Sequence, residues 1–159
     1  MAATACGYRP VYGPQDLRAT RALCVEAVRA TRLDEPQLAG VLGSALTARL
    51  AARGWRCEGP RPLRLQVQLV RWATVAAALH ARRVVAERHE LTVTAWLRDH
   101  AERTIWRSGL LRFQGANALD GGDSLAAAEQ LRASASATLA RAAATELAAL
   151  VALAVEDAP

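Results

Sequence analysis

The sequence has no lysine: all 20 of its basic residues are arginine. Arginine suits bidentate contacts to phosphate and carboxylate. Beside so many alanines, however, its exclusive use reads first as the mark of a GC-rich genome, and the net charge of +5 is weak evidence for an anionic partner. Arginine runs interleaved with aromatics, a helix-turn-helix signature and an RNP-like motif are all missing, which argues against nucleic-acid binding. Also lacking is any apolar run approaching the roughly 20 residues of a membrane-spanning helix; the best, LAALVALAV at 147–155, is far shorter.

Signs of catalysis are equally sparse. His80, His89 and His100 match no metal-ligand spacing and read as surface residues. The cysteines Cys6, Cys24 and Cys57 stand apart from one another. Asp120, Asp123, Glu87 and Glu90 form no acid/base constellation, since capping and solvated strand positions explain them. Gly121-Gly122 lacks the Lys-Ser/Thr that would make it a phosphate loop. The expectation is a non-enzymatic protein with no metal site and no cofactor.

What the 159 residues do contain suits one domain, and 52% of them are hydrophobic. Residues 1–21 read as a flexible N-terminal segment and 22–156 as a single folded unit. ALCVEAV at 22–28 alternates as a short strand. Asp34 and Gln37 have capping-box spacing with Pro36 in the first turn, and Leu38, Val41, Leu42, Ala45, Leu46 and Leu50 then recur at helical spacing until Gly54. After a Pro- and Gly-broken loop at 55–62, three strands are expected from residue 63, over 84–99 and over 103–113, with Leu65, Leu91 and Leu97 on the apolar face. The short links between them predict an antiparallel meander. An alanine-rich helix over 124–155 follows. The predicted class is α+β, a two-layer sandwich of order β-α-β-β-β-α: a four-stranded mixed sheet with two helices on one face and the other face open.

Strict alternation along the meander puts Trp72, Trp96 and Trp106, together with Arg64, Arg98 and Arg112, on the open face. A three-residue turn near His100 would set Trp96 opposite Trp106, whereas a two-residue turn would put Trp106 inward with Leu97. The three-residue turn is favoured because it also turns Ile105, Leu111 and Phe113 inward, although Arg107 then points nominally inward. Tryptophan and arginine are enriched in binding hot spots, so these six residues are the candidate partner surface. In an oxidising compartment Cys24 and Cys57 are a candidate disulfide.

The N-terminal stretch ATACGYRPVYG places the small residues Ala3, Thr4 and Ala5 directly before Cys6, the setting a signal peptidase needs when the cysteine is to be lipidated. Only five residues precede Cys6, fewer than an export signal requires; either that signal lies upstream of Met1 or Cys6 is unrelated to export. CGYRPVYG resembles the mature start of the LPS-assembly lipoproteins of the LptE family, whose element order the chain also matches over nearly its whole length. The resemblance implies an outer-membrane lipoprotein on the periplasmic face, lipidated at Cys6. Its implied role is to assist assembly and function of the LPS-export β-barrel translocon (an LptD-like partner) and to contact lipopolysaccharide. Gly7, rather than aspartate, after the cysteine favours the outer membrane under that reading. The alternatives are an auxiliary lipoprotein or adaptor of an ABC-type lipid-transport system, and a cytoplasmic binding domain.

Overall fold

The structure is a computed structural model that describes residues 22–30, 37–80, 83–118 and 125–156. Cys6, the segment 1–21 and the expected caps Asp34, Asp123 and Ser124 lie outside the described residues. The elements run β1 (Leu23–Ala30), α1 (Gln37–Ala52), β2 (Leu63–His80), β3 (Arg83–Arg98), β4 (Thr104–Ala118) and α2 (Leu125–Glu156). They build one four-stranded sheet in the spatial order β1-β2-β3-β4. β1 runs parallel to β2 through the α1 crossover, and β2, β3 and β4 form the antiparallel meander. This is the α+β class and element order that the periodicity predicts.

Both helices bury one stripe against the inner face of the sheet. Leu38, Leu42, Leu46 and Leu50 recur every fourth residue of α1 and are buried, which sets them on one face of a helix. α2 contributes Leu139, Ala140, Ala143, Ala144, Leu147, Ala148 and Val151. They meet Leu65, Val67 and Leu69 of β2 and Leu91, Val93, Ala95 and Leu97 of β3 in one core. Burying a leucine of this kind contributes about 1.5–3 kcal/mol. By length and composition α2 would cross a bilayer, but half of its most apolar window is buried inside the protein. It therefore serves as the core helix.

α1 ends in a Schellman cap. Gly54 takes φ 85°, its N–H donates to the Ala51 carbonyl at 2.9 Å, and the Trp55 N–H donates to Leu50 at 3.0 Å; a left-handed residue there favours glycine. The chain then turns back along the outer edge of β1, where the Leu23 N–H donates to the Arg56 carbonyl at 2.8 Å. Cys24 and Cys57 are disulfide-bonded with their Cα atoms 4.4 Å apart. The approach is close enough that a Cβ on Gly59 would stand 2.7 Å from the Cβ of Ala22. The start of this edge strand is thus covered and stapled, which blocks stray strand pairing.

Candidate functional site: the open face of the sheet

Pairing register decides which side chains reach the open face. On β2, Leu69 pairs with Val93 but Arg71 pairs with Thr92, so Val70 is an extra residue. A bulge of this kind reverses the alternation beyond it. Trp72 consequently lies opposite the buried Leu91, on the inner face. Along β4 two further bulges act in turn. The β3–β4 turn does leave three residues between Asp99 and Arg103, with Glu102 at φ 60° and the Asp99 carboxylate accepting from the Ala101 and Arg103 N–H groups at 2.7 and 2.9 Å. Arg98 then faces Thr104 but Leu97 faces Trp106, so Ile105 is the extra residue.

That insertion turns Trp106 inward as the Val70 bulge turns Trp72, and the two together correct the strict-alternation expectation for both tryptophans; each packs against the core. Trp96 lies opposite Arg107, not Trp106, and Arg107 is on the open face. The second bulge, at Ser108 and Gly109, restores the phase. The Ser108 hydroxyl accepts from the Ala95 N–H at 2.9 Å, and Gly109 adopts φ 70°. Beyond it Leu111 and Phe113 pair with Val93 and Leu91, as core residues should.

The open face is therefore a series of rungs read across the strands. Cys24, Arg64, Arg98 and Thr104 form the first; Ala27, Gln66, Trp96 and Arg107 the second; Arg29, Gln68, Thr94 and Leu110 the third. Arg71, Thr92 and Arg112 form the next, and Arg88 lies further out beside Val75. Trp96 is held in place by its indole N–H, which donates to Gln66 Oε1 at 2.6 Å, while the Gln66 amide donates to Glu26. Beside this tryptophan is a dent of about 170 Å³ lined by Ala27, Arg29, Gln66, Gln68 and Trp96.

The arginines divide into two groups. Arg64 and Arg98 share the carboxylate of Glu102 at 2.5 and 3.4 Å, so they brace the β3–β4 turn. Arg29, Arg71, Arg88, Arg107 and Arg112 are exposed and have no carboxylate partner among the described residues. Of these five the sequence names only Arg112 as a candidate; Arg71 and Arg107 fall out of simple alternation, Arg88 keeps the phase of Trp96 and Arg98 near the start of β3, and Arg29 belongs to the short first strand. This surface can offer forked donors around one flat ring to an anionic or hydrogen-bonding partner.

The inner face beneath the outer half of the β2–β3 hairpin is polar. His89 is buried rather than a surface residue, at 1% exposure. One ring nitrogen lies 3.0 Å from the Thr74 hydroxyl and the other contacts the Asn117 side-chain oxygen, and the imidazole stacks on Trp72 at 5.5 Å between ring centres. Next to it the Arg132 guanidinium grips Glu87, holding that carboxyl below its ordinary range despite the opposing effect of burial. His89 thus ties β3 to Thr74 of β2 and Asn117 of β4, and the Glu87–Arg132 pair ties α2 to the sheet. Among the described residues no three His, Cys, Asp or Glu side chains cluster to hold a metal ion.

No family model matches the chain, and no curated protein matches it. Solved structures do resemble it. A minor lipoprotein from Acinetobacter baumannii is 13% identical with a TM-score of 0.54, covering 81% of this chain and 92% of its own. The rare lipoprotein B of Shewanella oneidensis is 10% identical with a TM-score of 0.51, covering 80% and 92%. At such identities the likeness establishes the fold, over most of both chains.

Proposed function

We propose that the protein is a non-enzymatic envelope lipoprotein, anchored through acyl chains on Cys6 to the periplasmic face of the outer membrane, that assists the β-barrel translocon exporting lipopolysaccharide. The observation that carries this reading is the conjunction of Ala3-Thr4-Ala5-Cys6 with a fold shared by a minor lipoprotein and a rare lipoprotein B. Lipid-modified cysteines of this kind give firm residence when more than one chain is attached. The open face supplies the docking chemistry: a fixed Trp96 bordered by Arg107 and Arg29, with Arg71 and Arg112 further along, suits both a barrel wall and the phosphates of lipopolysaccharide.

The test is co-expression of the full-length gene with the translocon barrel of the same genome, followed by purification through a tag on the barrel. The chain is expected to co-purify, and the Trp96→Ala, Arg107→Ala double variant to lose most of that association while keeping its circular dichroism spectrum. Failure of the unaltered chain to co-purify contradicts the role.

A further inference from the structure

The two edges of the sheet are finished differently. At β1 the strand begins under the Arg56 segment, stapled by Cys24–Cys57, and Glu26 forms a bulge. At β4 the order of the sheet ends, with no described strand beyond it. The bulges at Ile105 and Ser108–Gly109 disturb only its first half. From Leu110 to Ala118 β4 pairs with β3 in unbroken register, and this stretch contains no proline and no lysine. A long regular edge of this kind presents a row of unpaired backbone donors and acceptors to another strand.

The sequence of that edge selects its partner. LLRFQGANA begins with large side chains and ends with small ones, with Gln114 at its centre. An antiparallel copy related by a two-fold axis at Gln114 sets Leu110 opposite Ala118, Leu111 opposite Asn117, Arg112 opposite Ala116 and Phe113 opposite Gly115. Each rung then matches a larger residue with a smaller one. A parallel copy in the same register would set arginine on arginine and leucine on leucine. Leu110, 64% exposed on the open face, gains an apolar neighbour. The axis stands perpendicular to the sheet, so both pairs of helices remain on one side and both arginine faces on the other.

We infer that two copies of this chain associate through β4 in this register, making one eight-stranded sheet with a single doubled open face. This closed, isologous arrangement goes beyond the proposed role at the barrel and does not depend on it.

The test uses the full chain carrying Cys6→Ser, with Gln114→Cys added in a second version and Leu110→Cys in a third. Sedimentation equilibrium of the first is expected to give twice the monomer mass at high micromolar concentration. Mild oxidation of the second is expected to give a covalent dimer, because side chains facing one another across such an axis lie within disulfide reach. Gln114→Glu, which sets two carboxylates face to face, is expected to raise the dissociation constant about two- to fivefold. A monomer at every concentration overturns the inference, and so does a dimer in which the Gln114→Cys version stays unlinked while the Leu110→Cys version links to its own copy.

Discussion

Glu87 on β3 and Arg132 on α2, 45 residues apart in the chain, meet in a forked ion pair: Arg132 Nε lies 3.0 and 2.9 Å from the two carboxylate oxygens and Nη2 lies 2.6 Å from Oε1. The carboxylate is buried and the guanidinium is partly open to solvent, at 6% and 41% side-chain exposure. The pair fixes the N-terminal half of the long helix over the outer part of the hairpin, where the apolar core has given way to His89 and Asn117.

Removing the arginine leaves a buried carboxylate unpaired, so Arg132→Ala is expected to cost about 1–3 kcal/mol in urea unfolding. The pH dependence follows from the lowered pKa of Glu87, whose first cause is the hydrogen bond from Arg132. The folded carboxyl ionises at lower pH than the unfolded one, so its stabilisation is complete above the ordinary carboxylate range and is lost as pH falls through the folded value. Glu87→Gln should therefore lose less stability than the unaltered chain between neutral pH and about pH 3.

The three strand tryptophans should separate by face. Trp72→Ala and Trp106→Ala remove rings packed on the core and are expected to lower stability by about 2–4 kcal/mol each. Trp96→Ala removes an open-face ring and one hydrogen bond, and about 1–2 kcal/mol is expected. Equal losses at all three sites would show that the face assignment is mistaken.

These tryptophans also mark how far the sequence can be read. Element order, the leucine stripe of α1 and the alternation of Leu63 to Leu69 are legible because period and residue type agree there. The phase of β3 is legible too, but that of β2 beyond Leu69 and of the first half of β4 is not, because Val70, Ile105 and Ser108–Gly109 each insert a residue, and no local composition marks the first two. The three-residue turn at His100 forms as the sequence favours; the bulge that follows it reverses the consequence for Trp106. Of the six candidate surface residues, Trp96, Arg64, Arg98 and Arg112 lie on the open face, and Arg29, Arg71, Arg88 and Arg107 join them. The lesson is that alternation predicts a face only as far as the first bulge.

Closing the Cys24–Cys57 loop of sequence separation 33 restricts the unfolded chain, which corresponds to about 3–4 kcal/mol in the chain-entropy account. The Cys24→Ser, Cys57→Ser double variant is expected to unfold at correspondingly lower urea concentration. It should also expose the start of β1, read as faster hydrogen exchange at Leu23, whose N–H is bonded to Arg56. A double variant as stable as the parent would show that the staple contributes nothing.

The most direct measurement concerns Cys6. The gene, with the sequence upstream of Met1 included, is expressed in a Gram-negative host, and the N-terminal peptide of the purified protein is weighed by mass spectrometry alongside membrane fractionation. An N-terminal Cys6 carrying diacylglyceryl and acyl chains, in a protein recovered with the outer membrane, is the result expected of an envelope lipoprotein. A protein recovered in the soluble fraction with residues 1–5 still attached and a free Cys6 thiol would contradict it.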